Sequence, residues 1–149
     1  MDNRTLSEYR SEVIKKFINC EMIINVIITQ HYFKKVMKPF LLEVLYDEYF
    51  SFGLKRRILE KIIPNLNNAK IQELNRLNTI RNYFAHCNQE FFEGPEKPKP
   101  ETKGIVPDPK NVEKGIDFEE LYTEFIQKEP EINKYLVKIF TDLGGKLEE

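Results

Sequence analysis

The stretch from Thr5 to about Lys35 constrains the fold more than any other, because it carries helical periodicity on nearly every side. Thr5 followed by Glu8 has the spacing of a capping box, in which each side chain satisfies the other residue's backbone N–H. Tyr9, Val13, Ile14, Phe17, Ile23, Ile24 and Ile27 then recur at helical spacing, and the centre, FINCEMIINVII, is apolar almost all round. A helix of that kind belongs in the middle of other helices. Glu21 is the lone charge in this centre and needs a partner; Arg81 is one candidate, in a structural pairing rather than a catalytic one. The apolar run Phe17 to Ile28 is shorter than the roughly 20 residues of a membrane span and contains Asn19, Glu21 and Asn25, so it reads as a buried helix with no membrane partner.

The following segments are also helical. Pro39 suits the first turn of a second helix, Phe40 to about Phe50, with Leu41, Leu42, Leu45 and Tyr49 as its apolar positions. Ser51 is placed to cap a third, Phe52 to Ile63, stopped by Pro64 and with Leu54, Ile58, Leu59 and Ile62 as its apolar positions. An Asn-rich turn, Pro64 to Asn68, leads to a fourth helix beginning near Ala69. After His86 the pattern stops: Gly94, Pro95, Pro98, Pro100, Gly104, Pro107, Pro109 and Gly115 break any helix, and Ile105 and Val106 allow only a short hairpin strand. The connection from about Glu90 to Ile116 exceeds the roughly 12 to 15 residues of ordinary structureless loops, which marks it as a lid over a site or as a disordered segment. Asp117 and Glu120 repeat the capping-box spacing and open a last helical region with Phe118, Leu121, Tyr122, Phe125, Ile132, Leu136, Ile139 and Phe140 as its apolar positions; Glu129 and Pro130 are expected to kink or divide it, and Gly144 and Gly145 to end it. The expected fold is all-α: one domain over residues 1–149, an antiparallel bundle of about five helices with a long Pro-rich loop before the C-terminal helical region.

Charge is uneven along this chain of net charge −1. Phe52 to His86 holds seven Lys or Arg against two Glu, whereas Cys87 to Glu149 holds nine against fifteen acids. The basic segment suits an anionic partner, although Lys55, Arg56, Arg57 and Lys61 also fit the wet face of one helix. Two cysteines, Cys20 and Cys87, are too few for a disulfide scaffold, and without a signal peptide a reduced cytoplasmic setting is expected. His31, His86 and scattered acids lack metal-ligand spacing, so neither metal nor cofactor is expected.

The candidate site is LNTIRNYFAH, Leu77 to His86. On a helical wheel Leu74, Leu77, Ile80 and Phe84 fall on one side, and Asn75, Asn78, Thr79, Asn82 and His86 on the other. The second stripe is polar but uncharged. Solvated faces usually carry Lys and Glu, so amides, a hydroxyl and an imidazole in a row suit hydrogen bonding to a partner, a ligand or a second subunit. Arg81 projects from the border of the apolar face, where its stem can lie on the core while the guanidinium reaches the polar side.

IRNYFAH, with an Arg, a polar Asn and a His after three further residues, resembles the motif of the HEPN superfamily of all-α bundles. Together with FINCEMIINVII and FGLKRRILEKII it looks most like the branch of mannitol operon repressor-like proteins, over roughly Lys16 to Asn88. The resemblance assigns Arg81, Asn82 and His86 to the motif and implies a homodimer with two motifs facing each other. It also implies a metal-independent endoribonuclease acting on RNA, often a toxin restrained by an antitoxin partner, or alternatively a non-catalytic regulatory or binding module. Some toxin members carry a Tyr two residues after the His, where this chain has Asn88, a departure from that subgroup.

The chemistry fits such residues. Cleaving RNA through its own 2′-hydroxyl needs a base, an acid for the leaving 5′-oxygen and positive charge for the phosphorane. Imidazole serves as base or acid, Arg offers forked donors to phosphate oxygens, and Asn82 can orient the His or a phosphate. One His cannot comfortably perform both transfers, so two copies of His86 in a symmetric dimer are a natural solution. The structural alternative is equally definite: a His capping carbonyls at a helix end, and an Arg tied to a buried acid.

Overall fold

The computed structural model describes residues 5–86, 105–108 and 111–146. The chain is an all-α helical bundle with one added hairpin. Its helices are α1 (Leu6–Phe33), the three-residue α2 (Lys38–Phe40), α3 (Phe52–Ile62), α4 (Asn68–His86) and α5 (Phe118–Asp142). Strands β1 (Ile105–Asp108) and β2 (Asn111–Asp117) pair antiparallel, with Ile105 opposite Asp117 and a register shift between Pro107 and Asp108. The long connection expected as loop or lid therefore contains a strand pair that delivers the chain directly to α5. No described helix is long and apolar enough to cross a membrane.

Local chemistry sets the helix ends. Thr5 N–H donates to Glu8 Oε2 at 2.6 Å and Glu8 N–H to Thr5 Oγ1 at 3.3 Å, the reciprocal pair expected of a capping box. Ser51 Oγ accepts from Leu54 N–H, and Asp117 Oδ1 accepts from the N–H groups of Glu119 and Glu120. At the other end of α5, Gly144 adopts φ +87°, the left-handed geometry that closes a helix at least cost when no Cβ is present.

The region expected as a helix from Phe40 to Phe50 differs. After α2 the residues Leu41–Leu45 form a wider turn, with Tyr46 N–H reaching back five residues to the Leu41 carbonyl. Helical structure stops there because Asp47 captures the backbone: its Oδ1 accepts from Tyr49 N–H and its carbonyl from Phe50 N–H. Leu41 and Leu45 are buried, whereas Leu42 and Tyr49 are exposed, as is Leu54 on α3. Pro130, expected to kink or divide the last helix, lies inside a continuous α5. Buried Phe125 and Ile132 on either side of it supply the packing that outweighs the lost backbone hydrogen bond.

Two compact units divide the chain, one made of 1–17 and 75–129, the other of 18–74 and 130–149. In the first, Arg10 bonds to Phe84 and Arg81 lies over Phe17, so α4 runs antiparallel to α1. Tyr9 packs on Phe118 and Tyr122, and Glu12 accepts from the Tyr122 hydroxyl, so α1 and this part of α5 run the same way. The core there holds Tyr9, Val13, Phe17, Leu77, Ile80, Phe84 and Phe125. In the second, Ile24, Ile27, Ile28, Leu45, Leu59, Leu74, Ile132 and Leu136 are buried together, with Gln30 donating to the Leu143 carbonyl and the Tyr135 hydroxyl accepting from Asn67 N–H.

Candidate functional site

The motif helix buries the side expected of it: Leu74, Leu77, Ile80 and Phe84 are each at most 2% exposed. On the opposite side Asn75, Asn78, Thr79 and Asn82 are half-buried, and His86, the last residue of α4, is exposed. Thr79 Oγ1 donates to the Asn75 carbonyl one turn back, a bond within the helix that leaves the amide stripe facing outward.

Arg81 is held from two directions. Its guanidinium carbon stands 4.8 Å from the centre of the Phe17 ring on α1, a cation–π contact, and one terminal nitrogen donates to Asn78 Oδ1 at 2.7 Å. Its Nε is buried and has no acceptor among the described residues. Glu21, for which Arg81 was the expected partner, has its carboxylate 3.6 Å from the Lys55 ammonium. Lys55 is itself buried rather than part of a wet basic face. Arg81 therefore meets an amide and an aromatic ring among the described residues, and no carboxylate.

A third residue fixes the end of the helix. Arg10 on α1 donates through Nε to the Phe84 carbonyl at 2.7 Å. That carbonyl is among the last four of α4, which have no donor within the helix, and a cation at this end also opposes the negative pole of the helix dipole. Arg10 thus anchors the turn that presents His86. Nothing in the local sequence signals this role, since the two residues lie 74 positions apart. Phe17 was legible as core and Asn78 as part of the polar stripe, but their joint grip on Arg81 needed the packing of α1 against α4.

Arg81 and His86 do not converge within one copy by helix geometry alone. Five residues at 100° each place them about 140° apart around the axis, whereas Asn82 and His86, four apart, share a side. Two shallow surface depressions lie along Ser7 to Lys15 and along Asp117 to Gln127, and neither is lined by Arg81, Asn82 or His86. Among the described residues no three His, Cys, Asp or Glu side chains are grouped to hold a metal ion. Cys87 and Asn88, next to the motif, lie outside the described residues. No protein-family model, curated protein or solved structure matches the chain.

Proposed function

We propose that the chain is a HEPN-like endoribonuclease acting as a homodimer, with Arg81, Asn82 and His86 as its site. The observation that carries this reading is the seating of Arg81: the Phe17 ring and the neutral Asn78 side chain position its guanidinium without neutralising it. Such a guanidinium retains donors for phosphate oxygens. His86, exposed at the helix end, is open to substrate.

In the proposed reaction one His86 takes the proton of the ribose 2′-hydroxyl, whose oxygen attacks phosphorus. Arg81 stabilises the charge on the phosphorane oxygens, and a second His86 gives a proton to the departing 5′-oxygen. The products are a 2′,3′-cyclic phosphate and a free 5′-hydroxyl. Because Arg81 and His86 diverge around α4, a site uniting them at one phosphate takes the imidazole of a second copy. The half-buried amide stripe of Asn75, Asn78 and Asn82 suits that contact, being too polar for a core and uncharged for a solvated face.

A non-catalytic binding or regulatory module is the second reading, in which the half-buried amide stripe of Asn75, Asn78 and Asn82 holds a partner and Arg81 joins α1 to α4 through Phe17. The two separate in a cleavage assay on structured and unstructured RNA in excess EDTA, comparing the wild type with His86→Ala and Arg81→Ala at matched dimer content. The nuclease reading expects cleavage that vanishes in both folded variants. Equal background in all three proteins across several RNAs establishes the binding module instead.

A further inference from the structure

The end of α1 and the turn into α2 carry exposed aromatic rings and lysines at positions other than Arg81 and His86. Tyr32 and Phe33 are 59% and 38% exposed there, and Lys34, Lys35 and Lys38 are exposed beside them. No Asp or Glu occurs between Met22 and Leu42, and none of the three lysines has a carboxylate within ion-pair reach among the described residues. Lys34 closes α1 in the left-handed conformation at φ 59°, with its N–H on the Gln30 carbonyl, which ends the helix and turns the chain.

The rings are held rather than loose. Tyr32 stands perpendicular to the His31 ring at 4.8 Å between centres, and Phe33 packs tilted on Phe40 at 5.2 Å. Exposed aromatic rings that already have a fixed neighbour lose little freedom when a further flat group stacks on them. Lysines without acids select a polyanion, and the rings select one whose repeating unit has an accessible flat face. A nucleic-acid duplex hides those faces in its own stack. An acidic peptide or an anionic membrane supplies charge without them.

We infer that the Tyr32, Phe33, Lys34, Lys35 and Lys38 surface binds single-stranded nucleic acid, with bases on the rings and phosphates on the lysines. This goes beyond the assignment of Arg81 and His86 and stands without it.

The test is fluorescence anisotropy of the full chain with a labelled oligothymidylate of about a dozen nucleotides, a length within the footprint of a single small domain. DNA lacks the 2′-hydroxyl, so binding is read whether or not the protein cleaves RNA. Tyr32→Ala is expected to weaken binding about 5-fold or more with the salt dependence unchanged, as for loss of one stacking contact. Lys34→Gln, Lys35→Gln and Lys38→Gln together are expected to weaken it further and reduce the slope of log K against log salt by about 2, at roughly 0.7 per phosphate released. All four positions are exposed, and circular dichroism checks that each variant is folded. No binding by the wild type, or unchanged affinity in both variants, overturns the inference. So does equal competition by polyglutamate with Tyr32→Ala unaffected, which makes the patch a bare charge cluster, and so does binding to phosphatidylserine vesicles in the absence of oligothymidylate binding.

Discussion

Lys55 on α3 lies 3.6 Å from Glu21 on α1, with only 5% of the lysine side chain exposed against 27% of the glutamate. The two partners are therefore not equivalent. Removing the carboxylate strands a cation with little access to water, whereas removing the cation leaves a carboxylate that water reaches. Glu21→Gln is expected to lower the unfolding free energy by about 1–3 kcal/mol, and Lys55→Met by less than about 1 kcal/mol, because the methionine stem keeps the packing. The double variant should recover most of the Glu21→Gln loss. Urea unfolding of the four proteins gives the comparison; a costlier Lys55→Met would contradict the burial asymmetry.

A second ion pair gives a pH dependence. Hydrogen bonds from Arg76, both at 2.9 Å, hold the Glu124 carboxyl down at about 2 from 4.5; partial burial opposes this, and Lys128 at 2.8 Å adds to it. Between those two values the unfolded chain binds a proton that the folded chain does not. The contribution is thus complete above pH 4.5 and is lost as the pH falls towards 2. With the side chains of Arg76 and Glu124 40% and 28% exposed, solvent screening reduces it to about 1–2 kcal/mol. Glu124→Gln should cost that much at neutral pH, and the gap to the wild type should close in acid. A gap that stays constant across that range would remove the ion pair as its cause.

Periodicity and end signals made much of this fold legible. The Thr5 and Glu8 box, the Ser51 cap and the apolar side of α4 depend on residues three or four apart, so the sequence contains the whole interaction. What it hid depends on distant partners or on competition. Lys55 counted as a surface cation until α1 supplied Glu21, and Asp47 ended the second helical segment by turning its own side chain and carbonyl onto the backbone. Pro130 did not divide α5, where buried Phe125 and Ile132 flank it and offset one missing hydrogen bond. In the candidate site, the positions of Arg81, Asn82 and His86 on α4 follow from helical geometry. The anchors Arg10 and Phe17 come from α1, with sequence separations of 74 and 64, and no local pattern announces them.

The contact between Arg81 and Asn78 offers the sharpest test of what the arginine is for. Asn78 Oδ1 accepts from the guanidinium at 2.7 Å and, being neutral, fixes its position without neutralising it. Asn78→Asp keeps size and reach but sets a carboxylate three residues before the arginine, the spacing of a helical ion pair. If Arg81 is present for phosphate, that carboxylate competes with it, since a like charge beside an anion site costs at least about 1.4 kcal/mol, or tenfold in affinity. RNA cleavage or binding through this site should fall at least about 10-fold in Asn78→Asp. In Asn78→Ala, which loosens Arg81 without adding charge, it should fall less. Stability should move the other way, with Asn78→Asp within about 0.5 kcal/mol of the wild type or slightly above it, because a partly exposed pair is worth little. Undiminished RNA activity in a folded Asn78→Asp protein would mean that the guanidinium never meets a phosphate and that Arg81 serves only to join α1 and α4 through Phe17.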